Sequence, residues 1–345
     1  MSRTDILMLG VGSGSPGAAA ALARALELPI ETVVDAVYRA PARLLGGVPA
    51  EDAERLVEII TGLGLEAAVK PAGHAPPRAP LLDIAGELIE PSRADEVAAI
   101  LGGFLGTTPA AALEALLTPP GILLGNVSAA TYTALKRALP GDAVSLIAAD
   151  PTSSRYALFA SRLTPLQAGV LRPYLPAGGK LEADGSATVF DLSRETADAI
   201  WRRMKAPEAV RIFNQAFLRF TILLNAMPDD AVAGAAALEA LAGVPTQDYP
   251  RLAAVLPVPV QADVCFTEVP ARLAAYVEAG FGATAELSTF AGVALDVMNA
   301  PTEALAAAGF GAQPPFRTAV MSRPRARLMR ARLEAAGAEV LEAVP

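Results

Sequence analysis

The stretch VPAEDAERLVEIITGLGLEAAVK, residues 48–70, decides how the fold of this chain is predicted. Its apolar residues Leu56 and Ile60 are one helical turn apart, so they lie on the same face of a helix. The glycines of GLG end that helix, and the run EAAVK is typical of a short strand. We therefore expect a helix, a turn and a strand over these residues.

The same pattern occurs four more times, and this repetition indicates a chain built of modules. The further copies are residues 127–148, 192–214, 265–288 and 321–343. When the copies are aligned on Val48, Val127, Leu192, Cys265 and Met321, the residues eight and twelve positions further on are all apolar. Those ten residues are Leu56, Leu135, Ile200, Leu273, Met329, Ile60, Leu139, Met204, Val277 and Leu333. We expect each pair to lie on a buried helix face.

A further strand precedes each copy and is followed by a proline near a helix start. The strands are residues 5–10, 81–90, 155–160, 219–225 and 292–299, and the prolines are Pro16, Pro91, Pro165, Pro228 and Pro301. The sequence thus predicts five βα(α)βαβ modules, of which the third and fifth are shortened because they lack a middle helix. The predicted modules are residues 1–70, 81–150, 151–216, 217–290 and 291–345, and PAGHAPPRAP (71–80) is a Pro-rich linker after the first.

The first module carries a family resemblance. Residues 33–70 contain Ala40-Pro41, Gly47-Val48, Asp52-Ala53-Glu54 and a closing Gly-x-Glu-x-x-Val-Lys over 64–70. With these motifs the segment resembles the second half of the globular C-terminal domain of the bacterial ribosomal stalk protein. The resemblance is closest over residues 5–70 and extends over 81–149. After residue 149 it depends on the alignment of the repeats with the first two modules. It implies an α+β fold in which each module is a three-stranded antiparallel sheet with its helices on one face.

The resemblance also implies a function in docking rather than catalysis. The stalk domain recruits translation GTPases through a basic, glycine-rich surface between its first two helices. The corresponding stretch here is ARALELPIETVVDAV (23–37), and Glu31 and Val34 stand where the family carries lysines. We therefore do not expect GTPase recruitment by the same surface.

Composition excludes several classes of site. The chain has 345 residues, a net charge of −8, one cysteine (Cys265) and one histidine (His74). A disulfide within the chain is impossible, and one Cys with one His leaves too little for a zinc site or a Ser-His-Asp triad. The negative charge disfavours nucleic acid, which needs clustered Lys and Arg. We expect no catalytic residues, metal or cofactor, no transmembrane segment, and a soluble cytoplasmic protein.

A glycine-rich turn at residues 10–17 is the strongest candidate for a ligand. Gly12, Gly14 and Gly17 spell GxGxxG between a strand and a helix, which is the context of a dinucleotide-binding turn. However, the parallel second strand ending in Asp or Glu is missing, Pro16 has no amide to donate, and the sister turns lack these glycines. A plain strand-to-helix turn is favoured. A small-ligand or nucleotide-binding regulator remains the alternative.

The last helix carries the sharpest charged feature of the sequence. Arg323, Arg325, Arg327 and Arg330 are the candidates for contact with a partner. This partner would be an acidic protein surface, and the chain's own acidic modules in another copy would allow self-association. A solvated helix face with neighbouring acids is favoured over such a contact.

These features together favour a non-enzymatic scaffold or adaptor for protein partners, with the edge strand AEVLEA (338–343) open to a partner strand. Trp201 is predicted to lie at a core edge or to anchor an interface, and Cys265 is predicted to be a buried structural thiol. The third hypothesis is an enzyme whose catalytic residues are Asp, Glu, Ser or Tyr side chains between modules, and the sequence does not identify any of these residues.

Overall fold

The computed structural model of the chain has five small antiparallel sheets with helices, which confirms the predicted α+β array of modules. The structure describes residues 3–77, 79–175, 181–182, 184–204 and 206–343. In each sheet the first strand of the module lies between the later ones. The five central strands begin close to where the sequence placed them.

Module one shows how the repeat folds. Its elements are β1 (Arg3–Gly10), α1 (Pro16–Ala25), α2 (Ile30–Tyr38), β2 (Ala42–Pro49), α3 (Ala50–Gly62) and β3 (Glu66–Pro71). β1 pairs with β2 and with β3, both antiparallel. Ile6 and Met8 point from β1 into a core with the helices, because alternate residues of a strand face opposite sides.

Module two repeats this order. Its elements are β4 (Leu81–Leu88), α4 (Ala94–Leu105), α5 (Pro109–Leu117), β5 (Ile122–Ser128), α6 (Ala129–Ala138) and β6 (Val144–Ala149). Modules one and two share one apolar core. The Thr131 hydroxyl donates to the Tyr38 carbonyl oxygen at 2.8 Å, and the Tyr38 hydroxyl donates to the Phe104 carbonyl oxygen at 3.1 Å.

Modules three and four follow. Module three has β7 (Tyr156–Ala160), α7 (Pro165–Leu171), β8 (Ala187–Leu192), α8 (Arg194–Met204) and β9 (Val210–Asn214). Module four has β10 (Arg219–Ala226), α9 (Ala231–Ala242), α10 (Tyr249–Ala253), β11 (Val258–Cys265), α11 (Val269–Glu278) and β12 (Gly282–Leu287).

Module five closes the chain with a divided edge strand. Its elements are β13 (Gly292–Asn299), α12 (Thr302–Ala307), β14 (Phe316–Arg317), β15 (Met321–Ser322), α13 (Arg323–Ala335) and β16 (Glu339–Ala343). β14 and β15 both pair with β13, and β16 pairs with it as well.

The five modules form two compact units. One unit contains Met1–Pro151 and Gly292–Pro345, so modules one, two and five belong together although two modules separate them in sequence. The other unit, Thr152–Ala291, contains modules three and four.

In module four the predicted register is wrong by one residue. In the pairing with the central strand, the position of Val48 and Val127 is taken by Val264 and not by Cys265. Val277, which was predicted to be buried, is therefore 62% exposed, and its neighbour Tyr276 is buried instead. The thiol of Cys265 is for the same reason only partly buried.

Aromatic side chains cover the second face of the sheet in module three. Phe159 points away from the helices of its own module, and its ring centroid lies 5.0 Å from that of Phe290 and 6.1 Å from those of Phe190 and Phe213. Phe190 in turn contacts Phe220 of module four. The two modules of this unit are thus joined by a phenylalanine cluster.

Candidate docking surfaces

The edge of module five is open in the described part of the chain, where β16 pairs with β13 alone. Val340 of β16 is buried against the helices, so its neighbour Leu341 points to the opposite face and is 54% exposed. Met298 of β13 lies on that same face and is 45% exposed. An unpaired backbone edge and two exposed apolar side chains therefore lie side by side.

A charged pair borders these two side chains. Asp296, which is the cross-strand partner of Leu341, accepts two hydrogen bonds from Arg317, at 2.7 and 2.9 Å. The hydrogen bonds from Arg317 hold the pKa of the Asp296 carboxyl below its ordinary value. The surface formed by Met298, Leu341 and the edge of β16 is called the module-five edge surface below.

The arginines of α13 contact acidic residues of the same chain. Three of them reach module two, as Arg325 pairs with Glu114, Arg327 pairs with Glu87 at 3.3 Å and Arg332 pairs with Asp95 at 2.8 Å. The other two contact acidic residues of module five, as Arg323 lies 3.8 Å from Glu342 and Arg330 lies 2.7 Å from Glu334.

Polar and apolar contacts hold α13 on module two as well. The Ser322 hydroxyl donates to the Leu117 carbonyl oxygen at 2.9 Å. Leu328 is 5% exposed and belongs to the core that modules one and two share. The helix that carries the candidate partner contact thus joins module five to module two, and its contact with a separate partner stays a hypothesis.

The glycine turn uses its backbone amides internally. The amide of Ser13 donates to the Gly64 carbonyl oxygen at 2.9 Å, and the amide of Gly14 donates to the Val11 carbonyl oxygen at 2.9 Å. The Ser15 hydroxyl accepts from the Ala18 amide at 3.3 Å and caps α1. These groups, which a phosphate would need, already have partners.

Close packing explains two of the three glycines. A Cβ atom on Gly12 would overlap the Gly64 carbonyl oxygen, and one on Gly14 would lie 2.5 Å from Leu65 Cδ2. A cleft of about 470 Å³ beside the turn is lined by both Glu66 and Arg137. A carboxylate at this place opposes an anionic ligand. Gly17 has no such close contact, since its nearest neighbour is the Ser15 hydroxyl at 3.4 Å.

Two aspartates, one buried and one partly buried, were missed by the sequence reasoning. Asp5 is 1% exposed and accepts hydrogen bonds from the amides of Gly47 at 2.9 Å and Gly73 at 3.0 Å. Asp83 accepts from the Asn126 amide at 3.0 Å. The Gly47 bond, joined by those from Gly73 and Arg43, holds the pKa of Asp5 below its ordinary value although burial opposes this.

The two aspartates hold equivalent bulges in place. Gly47 and Asn126 both have positive φ angles, of 69° and 55°, one residue before the strand position aligned in the repeat. The signal was present in the sequence, because the triplets TDI (4–6) and LDI (82–84) put an acid at the same place in two central strands. We assign these carboxylates to structure, since each accepts a hydrogen bond from the amide of its own bulge.

The remaining candidates do not form a reactive site. His74 is exposed, and Trp201 is 43% exposed on α8. Among the described residues, no group of three or more His, Cys, Asp or Glu side chains could hold a metal ion. In the same residues no single helix is long and apolar enough to cross a membrane, and one bent pair, Pro91–Leu105 with Pro109–Leu117, passes that test together.

Comparisons with protein-family models, with curated proteins and with solved structures found no match to this chain.

Proposed function

We propose that this chain is a cytoplasmic, non-enzymatic scaffold or adaptor that binds protein partners. The observation that carries the proposal is the module-five edge surface, where an unpaired strand edge lies beside Leu341 and Met298. A partner segment in an extended conformation would add a strand to β16 and complete its backbone hydrogen bonds. The two apolar side chains would lose contact with water at the same time, which favours association.

The resemblance to the ribosomal stalk domain supports docking as the activity of such modules. The partner surface in the proposal differs from the one used in that family, because residues 23–37 carry Glu31 and Val34 in place of lysines. The proposal therefore names a sheet edge instead of the helix pair α1 and α2. The α13 arginines remain a second proposed contact. One of them, Arg323, lies beside β16 because it is close to Glu342 of that strand.

The test compares three forms of the full chain as bait in a lysate of the native organism. Leu341→Glu places a charge on the module-five edge surface, and Val232→Glu places the same charge on α9, where Val232 is 82% exposed. We expect one set of proteins to be captured by the unchanged chain and by Val232→Glu and lost with Leu341→Glu. Equal capture by all three forms, or capture by none, would show the proposal to be wrong.

A further inference from the structure

A groove between helices of modules two and five lies outside the module-five edge surface. It has a volume of about 580 Å³ and is walled by α5, α12 and α13, which all belong to the same compact unit. Its floor is apolar and includes Leu113, Leu117, Ala304, Leu328, Met329 and Leu333. Ligand sites for small molecules have volumes of about 300–1,000 Å³ and mainly apolar walls with a few polar groups.

The groove follows one face of α13 for its whole length. Arg325, Leu328, Met329, Arg332 and Leu333 line it, and they recur at intervals of three and four residues. With Ala336 this face extends over twelve residues, and the eleven steps between them give a rise of roughly 16 Å along the helix axis. An apolar groove of this length can accommodate an extended alkyl chain.

The charged residues of the groove lie along its rim. Arg325 and Arg332 contribute two guanidinium groups, whereas Glu114 is the one acidic residue in the lining. Arg332 pairs with Asp95 at 2.8 Å, but both side chains are more than half exposed, at 55% and 88%. Such an exposed pair is worth little and exchanges easily, and a guanidinium has five N–H donors to offer a further carboxylate.

We infer that this groove binds an anionic amphiphile, a carboxylate with an unbranched alkyl chain. The chain lies on the apolar floor along α13, and the carboxylate accepts hydrogen bonds from Arg332 at the rim. A cationic amphiphile is disfavoured by the two arginines.

Isothermal titration calorimetry of the full chain with dodecanoate, kept below its micellar concentration, tests the inference. We expect saturable binding with one dodecanoate per chain. Dodecyltrimethylammonium has the same chain with the opposite charge and should bind at least about tenfold more weakly, since a charge-assisted hydrogen bond contributes about this factor.

Three variants separate the groove from general binding to apolar surface. Arg332→Gln removes the proposed carboxylate donor and should weaken dodecanoate binding about tenfold. Arg330→Gln is the matched control, because Arg330 lies on the same helix, pairs with Glu334 and does not line the groove. Ala110→Leu places a larger side chain in the groove from the exposed start of α5. It should abolish dodecanoate binding while leaving the far-UV circular dichroism unchanged.

Several results would overturn the inference. They are an absence of saturable heat up to about 1 mM dodecanoate, equal binding of the cationic amphiphile, and equal loss in the two arginine variants. Full binding by a folded Ala110→Leu chain would do the same. If dodecanoate fails and Ala110→Leu instead reduces capture of a protein partner, the groove is a protein-docking surface and the inference is wrong.

Discussion

Gly12 packs against the backbone of Gly64 in module one, and it cannot carry a side chain without displacing that residue. A Cβ atom on Gly12 would overlap the Gly64 carbonyl oxygen, and the φ angles of the two residues are 55° and 81°. The glycines that resemble a dinucleotide-binding turn are therefore explained by the contact between this turn and the end of α3. Loss of a ligand after substitution here would not show a nucleotide site, because the fold itself would change.

Gly12→Ala is expected to destabilise the unit that contains module one. The positive φ angle costs an L-residue about 1–2 kcal/mol and the overlap adds to it, so the free energy of unfolding should fall by roughly 2 kcal/mol or more. Urea unfolding followed by circular dichroism measures the change. Gly17→Ala is the control, since Gly17 lies in the first turn of α1 with room for a Cβ atom, and it should stabilise by about 0.5–1 kcal/mol. Equal losses in the two variants would contradict the packing explanation.

The buried carboxylate of Asp5 should make the same unit sensitive to acid. Its pKa is held below the ordinary value by the Gly47 amide above all, so the unfolded state takes up a proton first as the pH falls. The stabilisation is complete above the ordinary pKa of about 3.9 and is lost as the pH falls through the lower, folded pKa. Urea midpoints measured across this range should fall steeply for the unchanged chain and less steeply for Asp5→Asn. An identical acid dependence in both forms would show that protonation of Asp5 does not cause the loss of stability.

Asp83→Asn provides the comparison within module two. Asp83 accepts one backbone hydrogen bond, from Asn126, and is only partly buried, whereas Asp5 accepts two and has Arg43 at 3.7 Å. The loss of stability at neutral pH should therefore be larger for Asp5→Asn than for Asp83→Asn. The reverse order would contradict this account of the two bulges.

Packing rather than charge should hold module five to module two. Leu328 is 5% exposed in the shared core, so Leu328→Ala is expected to cost about 2–4 kcal/mol. Arg325 and Glu114 are 42% and 55% exposed, so Arg325→Ala should cost less than about 1 kcal/mol and lose its effect in high salt. Urea unfolding at low and high ionic strength separates the two contributions. A salt-dependent loss in Arg325→Ala that exceeds the Leu328→Ala loss would reverse the assignment.

The module pattern could be predicted because it depends on the local periodicity of apolar residues in the sequence. Leu135 and Ile200 are buried at the position assigned from the repeat, and all five central strands were located. The register failed in module four, where a short 3-10 turn over Phe266–Glu268 precedes α11. Periodicity does not reveal whether the residue before a helix belongs to the strand or to such a turn. The buried Tyr276 in place of Val277 follows from that single shift.

The association of modules could not be predicted in the same way. The contact between Arg325 and Glu114 joins residues 211 positions apart, and neither residue differs in type from many exposed ones. The phenylalanine cluster around Phe159 likewise depends on which sheet faces another, a choice that strand alternation leaves open. Burial of Asp5 was missed because a strand acid usually marks the exposed face, and here a bulge amide makes burial favourable.

The hydroxyl of Tyr276 should be dispensable for folding. Tyr276 is 1% exposed, and its hydroxyl finds no hydrogen-bond partner among the residues that the structure describes. A buried polar group without a partner destabilises the folded state, so Tyr276→Phe should leave the free energy of unfolding unchanged or raise it by up to about 1 kcal/mol. Trp201 is the single tryptophan and lies in the same compact unit, so its fluorescence during urea unfolding reports this unit alone.

The alkaline behaviour of this unit provides a second measurement. Burial raises the pKa of the Tyr276 hydroxyl, and nearby Arg272 opposes the shift only in part. The unfolded state then loses its proton first as the pH rises, so the unchanged chain should lose stability from about pH 10 upward. Because Tyr276→Phe has no proton to lose, its fluorescence-detected urea midpoint should fall less over the same range, and a parallel fall in both forms would place the hydroxyl in contact with solvent.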